Sequence, residues 1–364
     1  MMQKIINLQS SLRNYQVDVL KLILALLVFF SHTGSFIGEN TRLSIGWVED
    51  FGFWSVHWFF IISGFLMVNS YFKKQDPFDK PGISAIKFVL GKFKNIALPF
   101  GVAWVIYYSF KYVYVYKLPL SVNNLAKLIP TMFLLQQGGV AGLDDGVIWY
   151  LSAMLICMLP LYYMLCKNSD FFIYVFAPLA ALLLYGYTCN SGHSLMNIYY
   201  DFYKGGLLRA LFGILFGVVA WIFYDKIQQL EKNKKNTIIL TIIELFVYLV
   251  IAVVIFNPKY DRMARWSVNL LTPAAIALSF SSRSYIAKLF SNKIFKFCGG
   301  WSLAVYLLHM PAKYIVEILF PDSSYKFSFA MMLIFTVLLC FVHYAIIKFL
   351  RLAAARIKSF MQTN

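Results

Sequence analysis

The chain has 364 residues, of which 60% are apolar, 18% aromatic and only 13% charged, with a formal net charge of +17. Ordinary soluble domains are roughly 45–50% apolar and about 25% charged, and a water-soluble fold of this size lacks the interior to hide the excess. A soluble globular enzyme, a disordered chain, a collagen-like fibre and a small disulfide scaffold are therefore excluded.

Apolar runs near the length of a bilayer span recur along the chain, separated by short polar loops. Ten spans are predicted, at 17–37, 52–72, 96–116, 147–166, 171–188, 206–224, 237–256, 266–280, 299–320 and 327–349. The runs are continuous rather than alternating, which argues against a β-barrel. The expected fold class is all-α, a polytopic membrane helix bundle of about ten transmembrane helices. The first run closes on Ser31-His32-Thr33-Gly34 with no small-x-small cleavage site, so it reads as a retained span rather than a signal peptide. The loop at 73–94 carries Asp76-Pro77 and Lys80-Pro81-Gly82, then a basic amphipathic stretch over 83–94 that is expected on the inner membrane surface. Residues 125–135 are apolar but too short to span, and read as a re-entrant or interfacial helix.

Loop charges orient the bundle. With the N-terminus inside, the inner segments hold 21 of the 33 Lys and Arg residues and the outer loops 8. That bias places both termini in the cytoplasm. The loop after the seventh span, with Lys259, Arg262 and Arg265, fits least well. One membrane domain over 1–364 is expected, with a cytoplasmic N-terminal segment at 1–16 and a basic cytoplasmic tail at 351–364. The membrane accounts for the charge, so no nucleic-acid partner is expected. Cys157, Cys166, Cys189, Cys298 and Cys340 form no CxxC and have no His at zinc spacing, so neither a disulfide framework nor a metal site is expected.

Each ionisable residue within an apolar span is a candidate for function. Lys21 and His32 are eleven residues apart on the first predicted helix. That is close to three full turns, so both project from one face, with a rise of about 16 Å between them. A cation at the inner end and an imidazole in the outer half fit an elongated substrate, its anionic head at Lys21 and its reactive end at His32. Lys21 can equally snorkel to the inner headgroups while His32 caps the outer end. Asp18, one turn before Lys21, is expected to pair with it locally. His309 lies midway along the ninth span, one turn after Tyr306; the two can line the cavity of His32 or bond between helices. Lys313 and Glu317 read as a local ion pair. Glu244 and Arg209 are candidate partners across helices, and His57 and His343 are expected near the interfaces. Ser63-Gly64 interrupts a bulky aromatic run, which suits close helix packing or the approach of backbone to a ligand. Trp149 opens the fourth span, where an aromatic-belt anchor is expected.

These fragments, in this order, resemble acyltransferase family 3, the multi-spanning membrane O-acyltransferases. Asp18-x-x-Lys21-x10-His32 resembles the family's first-helix signature. WFFIISGFL over 58–66 is similar to its second-helix FFxxSGFL, WYLSAML over 149–155 to its WFLxxLL, and SLAVYLLH over 302–309 to its late SxxxYLxH. The resemblance covers nearly the whole chain. It implies an acyl-CoA co-substrate, usually acetyl-CoA, reaching the protein from the cytoplasm, and no permanently bound cofactor. It implies a hydroxyl acceptor on a cell-surface glycan, an antibiotic or a lipid-linked sugar, and a plasma (inner) membrane location. It makes His32 the catalytic base and Lys21 a donor-binding residue, with Asp18, Ser63, Trp149, Tyr306 and His309 in support. The family often carries Arg-x-x-Arg before the third span to hold the CoA phosphates. Here Lys92 and Lys94 offer point charges in place of that planar fork, and Asn95 stands where the second Arg is expected. The competing reading from the residues is an exporter of a small anionic solute, which would carry inverted repeats and matching broken helices. A non-catalytic scaffold of an envelope assembly is a third, and would bind no donor.

Overall fold

A computed structural model describes residues 14–36, 49–74, 80–111, 117, 121–140, 146–190 and 205–363. Among these residues every regular element is helical and none is a strand. Most of the expected segment 1–16, and residues 38–48 and 191–204 of the loops expected outside, lie outside them.

The first long helix, α1 (Tyr15–Ser31), is capped by Asn14, whose side chain accepts from the Val17 N–H at 3.1 Å. It ends at His32, whose own N–H turns back to Phe29 O at 3.1 Å, and a 3-10 turn follows at Gly34–Phe36. Then come α2 (Glu49–Lys74), α3 (Pro81–Phe110), α4 (Trp149–Lys167), α5 (Ser169–Asn190), α6 (Gly205–Gln229), α7 (Lys234–Phe256), α8 (Arg262–Asn269), α9 (Thr272–Ser281), α10 (Lys296–Leu319) and α11 (Tyr325–Thr363). Eight of these are long and apolar enough to cross a membrane: α2 to α7, α10 and α11. The other two predicted spans take different forms. The first is α1, 17 residues long. The eighth is the pair α8 and α9, broken at Leu270-Leu271, where Pro273 starts the second helix without needing its missing N–H.

Two boundaries differ from the sequence reading. The basic stretch 83–94 is not a separate surface helix but the first half of α3, which begins with Pro81 at its first turn and runs unbroken through Pro99. Nothing between Gly91 and Ile96 stops a helix, so surface stretch and span merge. In the same way the tenth span and the basic tail form one 39-residue helix. The short segment 125–135 is two short helices, Val122–Ala126 and Ile129–Met132. Leu125, Ile129, Met132 and Phe133 are exposed while Thr131 and Leu134 are buried, as an interfacial element requires. A π-helical turn at Phe172–Phe176 sits just before Pro178 in α5, where the ring displaces the regular ladder.

One apolar core runs through the bundle. Its densest contacts are α2 against α6 and α1 against α10, with α1 also against α2. α3 packs on α4, α10 and α11. The α2–α6 crossing is built on glycine: a Cβ at Gly217 would lie 2.6 Å from the Gly64 Cα and 2.3 Å from Ile61 O. Ser63-Gly64 is thus a packing device, where small residues let backbones meet.

Candidate active site

The site grows from one stripe of α1. Asp18, Lys21, Ala25, Val28 and His32 recur at three- and four-residue steps and share a face. Ala25 is 0% exposed and Val28 2%, so the stripe faces protein, while Ile23 and Phe30 on other faces are exposed. At its inner end Lys21 and Asp18 form the expected local ion pair at 3.9 Å. At its other end His32 is half-buried. The crossing with α2 is tight there, since a Cβ on Gly52 would lie 2.2 Å from the Ser31 Oγ.

α10 brings the second imidazole. The His32 and His309 ring centroids are 5.2 Å apart with planes tilted 31°. His309 is wholly buried, and its Nδ1 lies 3.0 Å from Val305 O. A carbonyl oxygen only accepts, so Nδ1 carries the proton and Nε2 presents a lone pair. That Nε2 is buried without a partner. One turn before His309, the Tyr306 hydroxyl donates to Val147 O at 2.5 Å, and its ring lies 6.3 Å from that of His309. One turn after, Lys313 pairs with Glu317 at 3.7 Å and lies within electrostatic reach of both imidazoles.

α2 and α4 close the next side. Ser63 Oγ and Tyr150 OH are 2.9 Å apart, and the Tyr150 ring lies tilted at 4.7 Å from that of Phe60 and edge-on at 5.8 Å from that of Tyr306. Ser63 therefore joins the site through Tyr150, which the sequence reading passed over in favour of its neighbour Trp149. Trp149 is no simple belt anchor. Its ring lies 5.0 Å from the Arg209 guanidinium, which also lies 4.1 Å from the Phe53 ring.

Arg209 and Glu244 are not partners. Arg209 is 7% exposed and donates from one terminal nitrogen to Phe53 O at 3.0 Å. Its Nε has no partner, and among the described residues no carboxylate faces it. Burying an unpaired charge costs several kcal/mol, against which two cation–π contacts offset about 2 kcal/mol or more each when desolvated. Glu244, wholly buried, instead accepts from Gln16 Nε2 at 2.6 Å and Ser279 Oγ at 3.2 Å. The two histidines expected near the interfaces are both enclosed by protein. His57 is buried, its ring 5.2 Å from that of Phe212, because α2 faces α6 along its whole upper half. His343 is buried too, its Nε2 2.7 Å from Pro99 O. No residue pattern forms a metal-binding cluster among the described residues.

Lys92 and Lys94 sit on α3, a helix that shares α10 with α1 as a neighbour rather than packing broadly against α1 itself. Lys92 lies over the Phe88 ring at 5.5 Å, and Lys94, two residues on, is exposed on another side. They do not form one cluster with the α1 stripe in the way His309 and Tyr306 do.

A family model for an acyltransferase domain, that of acyltransferase family 3, matches residues 14–345. The chain belongs to this family. It is a membrane acyltransferase of many helices, and the match takes in every helix that carries a site residue, α1 through α10. No curated protein and no solved structure matches the chain.

Proposed function

We propose that this acyltransferase moves an acyl group, acetyl by preference, from cytoplasmic acyl-CoA to a hydroxyl of a cell-surface glycan or lipid-linked sugar, with His32 as the catalytic base. The observation that carries this reading is the α1 stripe. It sets a cation and an imidazole about 16 Å apart on one buried face, with a second imidazole of defined tautomer against the first. A CoA thioester is an extended molecule with an anionic head and a reactive end, and it fits that order of groups. The excess of Lys and Arg in one set of loops supports a plasma (inner) membrane orientation with both termini cytoplasmic. Lys21 is assigned to the donor's anionic head, with Lys92 and Lys94 as more distant positive charges at the surface where it enters.

The reaction needs one base and one oxyanion donor. The acceptor hydroxyl gives its proton to a ring nitrogen of His32 as its oxygen bonds to the thioester carbonyl carbon. The tetrahedral intermediate collapses with cleavage of the C–S bond. The departing CoA sulfur takes the proton back from the His32 imidazolium, leaving an ester and CoA thiol. His309 acts as a positioning residue: its free Nε2 lone pair is the natural acceptor for an N–H of His32. Two imidazoles joined by one N–H···N bond have centroids about 5 Å apart. Modest rotation of the rings makes that bond, and such contacts tighten when substrate binds. It would direct the other His32 nitrogen toward the acceptor.

The test uses membranes containing the full chain and acetyl-CoA labelled in the acetyl group. Label should pass to the glycan or lipid fraction with wild-type protein. His32→Ala should cut transfer by roughly 100-fold or more at an unchanged melting temperature. A folded His32→Ala protein that still transfers label overturns the assignment.

A further inference from the structure

Arg209 is the buried charge that this reaction leaves unused. Its guanidinium lies 4.1 Å from the Phe53 ring and 5.0 Å from the Trp149 ring. One terminal nitrogen is satisfied by Phe53 O, and Nε is buried and unpartnered. Trp149 immediately precedes Tyr150, whose ring lies 5.8 Å from that of Tyr306. Tyr306 in turn faces His309, which faces His32. Through Trp149 and its neighbour Tyr150, Arg209 is thus linked to the row of rings that ends at His309 and His32. One turn before it, Gly206 leaves room that a Cβ would fill, at 2.9 Å from the Trp149 ring and 2.4 Å from Gln137 Oε1. The glycine lets α6 approach closely enough to set Trp149 against the guanidinium.

A buried guanidinium with donors to spare and, among the described residues, no counter-charge against it is a receptor for an oxyanion. We propose that Arg209 is the acceptor-side anion subsite: it binds a carboxylate or phosphate group of the hydroxyl-bearing acceptor and so places that hydroxyl at His32. The inference rests on the acyl-transfer reading and narrows its substrate to an acidic glycan or a sugar phosphate. The phosphates of CoA are not its ligand, because they belong to the Lys21 end, about three helical turns away. A lysine would serve less well, since it lacks the planar guanidinium that stacks on aromatic faces and the fork that meets two oxygens.

The experiment measures the melting temperature of the full chain in lipid nanodiscs with D-glucuronate, glucose 1-phosphate or D-glucose. A bound ligand raises that temperature in proportion to its occupancy. Glucuronate or glucose 1-phosphate should raise it and glucose should not, and the stronger of the two anions names the acceptor's acidic group. Arg209→Gln should abolish the rise. Arg209→Lys should need at least tenfold more anion for the same rise, and this variant decides the matter if Arg209→Gln does not fold. An equal rise in the variants, no rise with either anion, or the same rise with glucose overturns the proposal. Arg209-dependent anion binding by a protein that transfers no acetyl label would retain the subsite and remove the acyl-transfer reading; label transfer dependent on His32 without such binding would do the reverse.

Discussion

Gly64→Ala tests whether the α2–α6 crossing sets the geometry of the site. A Cβ added at Gly64 would lie 2.0 Å from Ile214 O, 2.8 Å from its carbonyl carbon and 2.9 Å from its Cα. All three are backbone atoms of a helix in the middle of the core, so no side chain can swing aside. Ordinary contact begins near 3.4 Å, which requires the two helices to part by roughly 1.4 Å at this point. A gap of 0.5–1 Å already forfeits about a quarter to a half of the dispersion energy between facing atoms. Overpacking of this kind costs about 1–3 kcal/mol and more where backbone must move. The loss extends to Ser63–Tyr150, whose 2.9 Å bond spans from the residue next to Gly64 to α4. Gly101→Ala is the matched control, since its added Cβ meets nothing within 4 Å; there the higher helix propensity of alanine should leave stability equal or raised by up to about 1 kcal/mol. Thermal unfolding of both variants in nanodiscs, followed by tryptophan fluorescence, separates the two. If Gly64→Ala melts with the wild type, the crossing is looser than described and the packing argument fails.

Three further outcomes are expected. Lys21→Ala should raise the KM for acetyl-CoA by roughly tenfold or more, the weight of a charge-assisted contact, with kcat little changed; steady-state kinetics with an unaltered donor KM would remove Lys21 from donor binding. His309→Ala should lower kcat by roughly 10- to 100-fold with an unchanged donor KM, because it removes the orientation of the base and not the base; equal losses in both constants would point to a folding defect instead. Glu244→Ala removes the shared acceptor of Gln16 Nε2 and Ser279 Oγ, which are left with the Gln16–Ser279 and Ser279–Tyr248 bonds, and should cost about 1–3 kcal/mol. Glu244→Gln, which keeps an acceptor oxygen, should melt closer to the wild type, and identical melting of the alanine variant would show that the cluster carries no stability.

Helix content, most span positions and the α1 stripe could be read from the sequence because hydropathy and helical period are local properties. Lys21 and His32 were legible as co-facial from spacing alone, and Tyr306 with His309 likewise. What the sequence could not supply was which helices adjoin. Glu244 finds Gln16 and Ser279, and Arg209 finds Phe53 and Trp149, because of the order in which α1, α6, α7 and α9 pack; no spacing encodes that order. His57 sits near the start of a span, which suggests an interface, yet α6 covers it because Gly213 lets α6 close on that face, where a Cβ would lie 2.6 Å from Phe60 Cβ. Tyr150 was missed beside Trp149 for a related reason. Adjacent residues on a helix point about 100° apart, and only the neighbouring helices reveal that one faces Ser63 and the other Arg209.

The same stripe that suits an extended thioester also constrains how one could arrive. Between Lys21 and His32 lie Ala25 and Val28, both closed over by protein. A pantetheine arm running along this face would therefore have to part α1 from α10 or from α2. The α2 side is the stiffer of the two near His32, because Ser31 is seated against Gly52 with no room for a Cβ. The α10 side carries Pro311 two residues after His309, and a proline within a helix removes one hydrogen bond of the ladder and weakens the turn before it. That turn holds His309, the proposed positioning residue, and adjoins Tyr306, whose hydroxyl donates to Val147 O. On the proposed acyl-transfer reading, the element that would yield to admit a donor is the one that carries His309, so donor entry and the seating of His309 against His32 would be a single movement of α10 against α1.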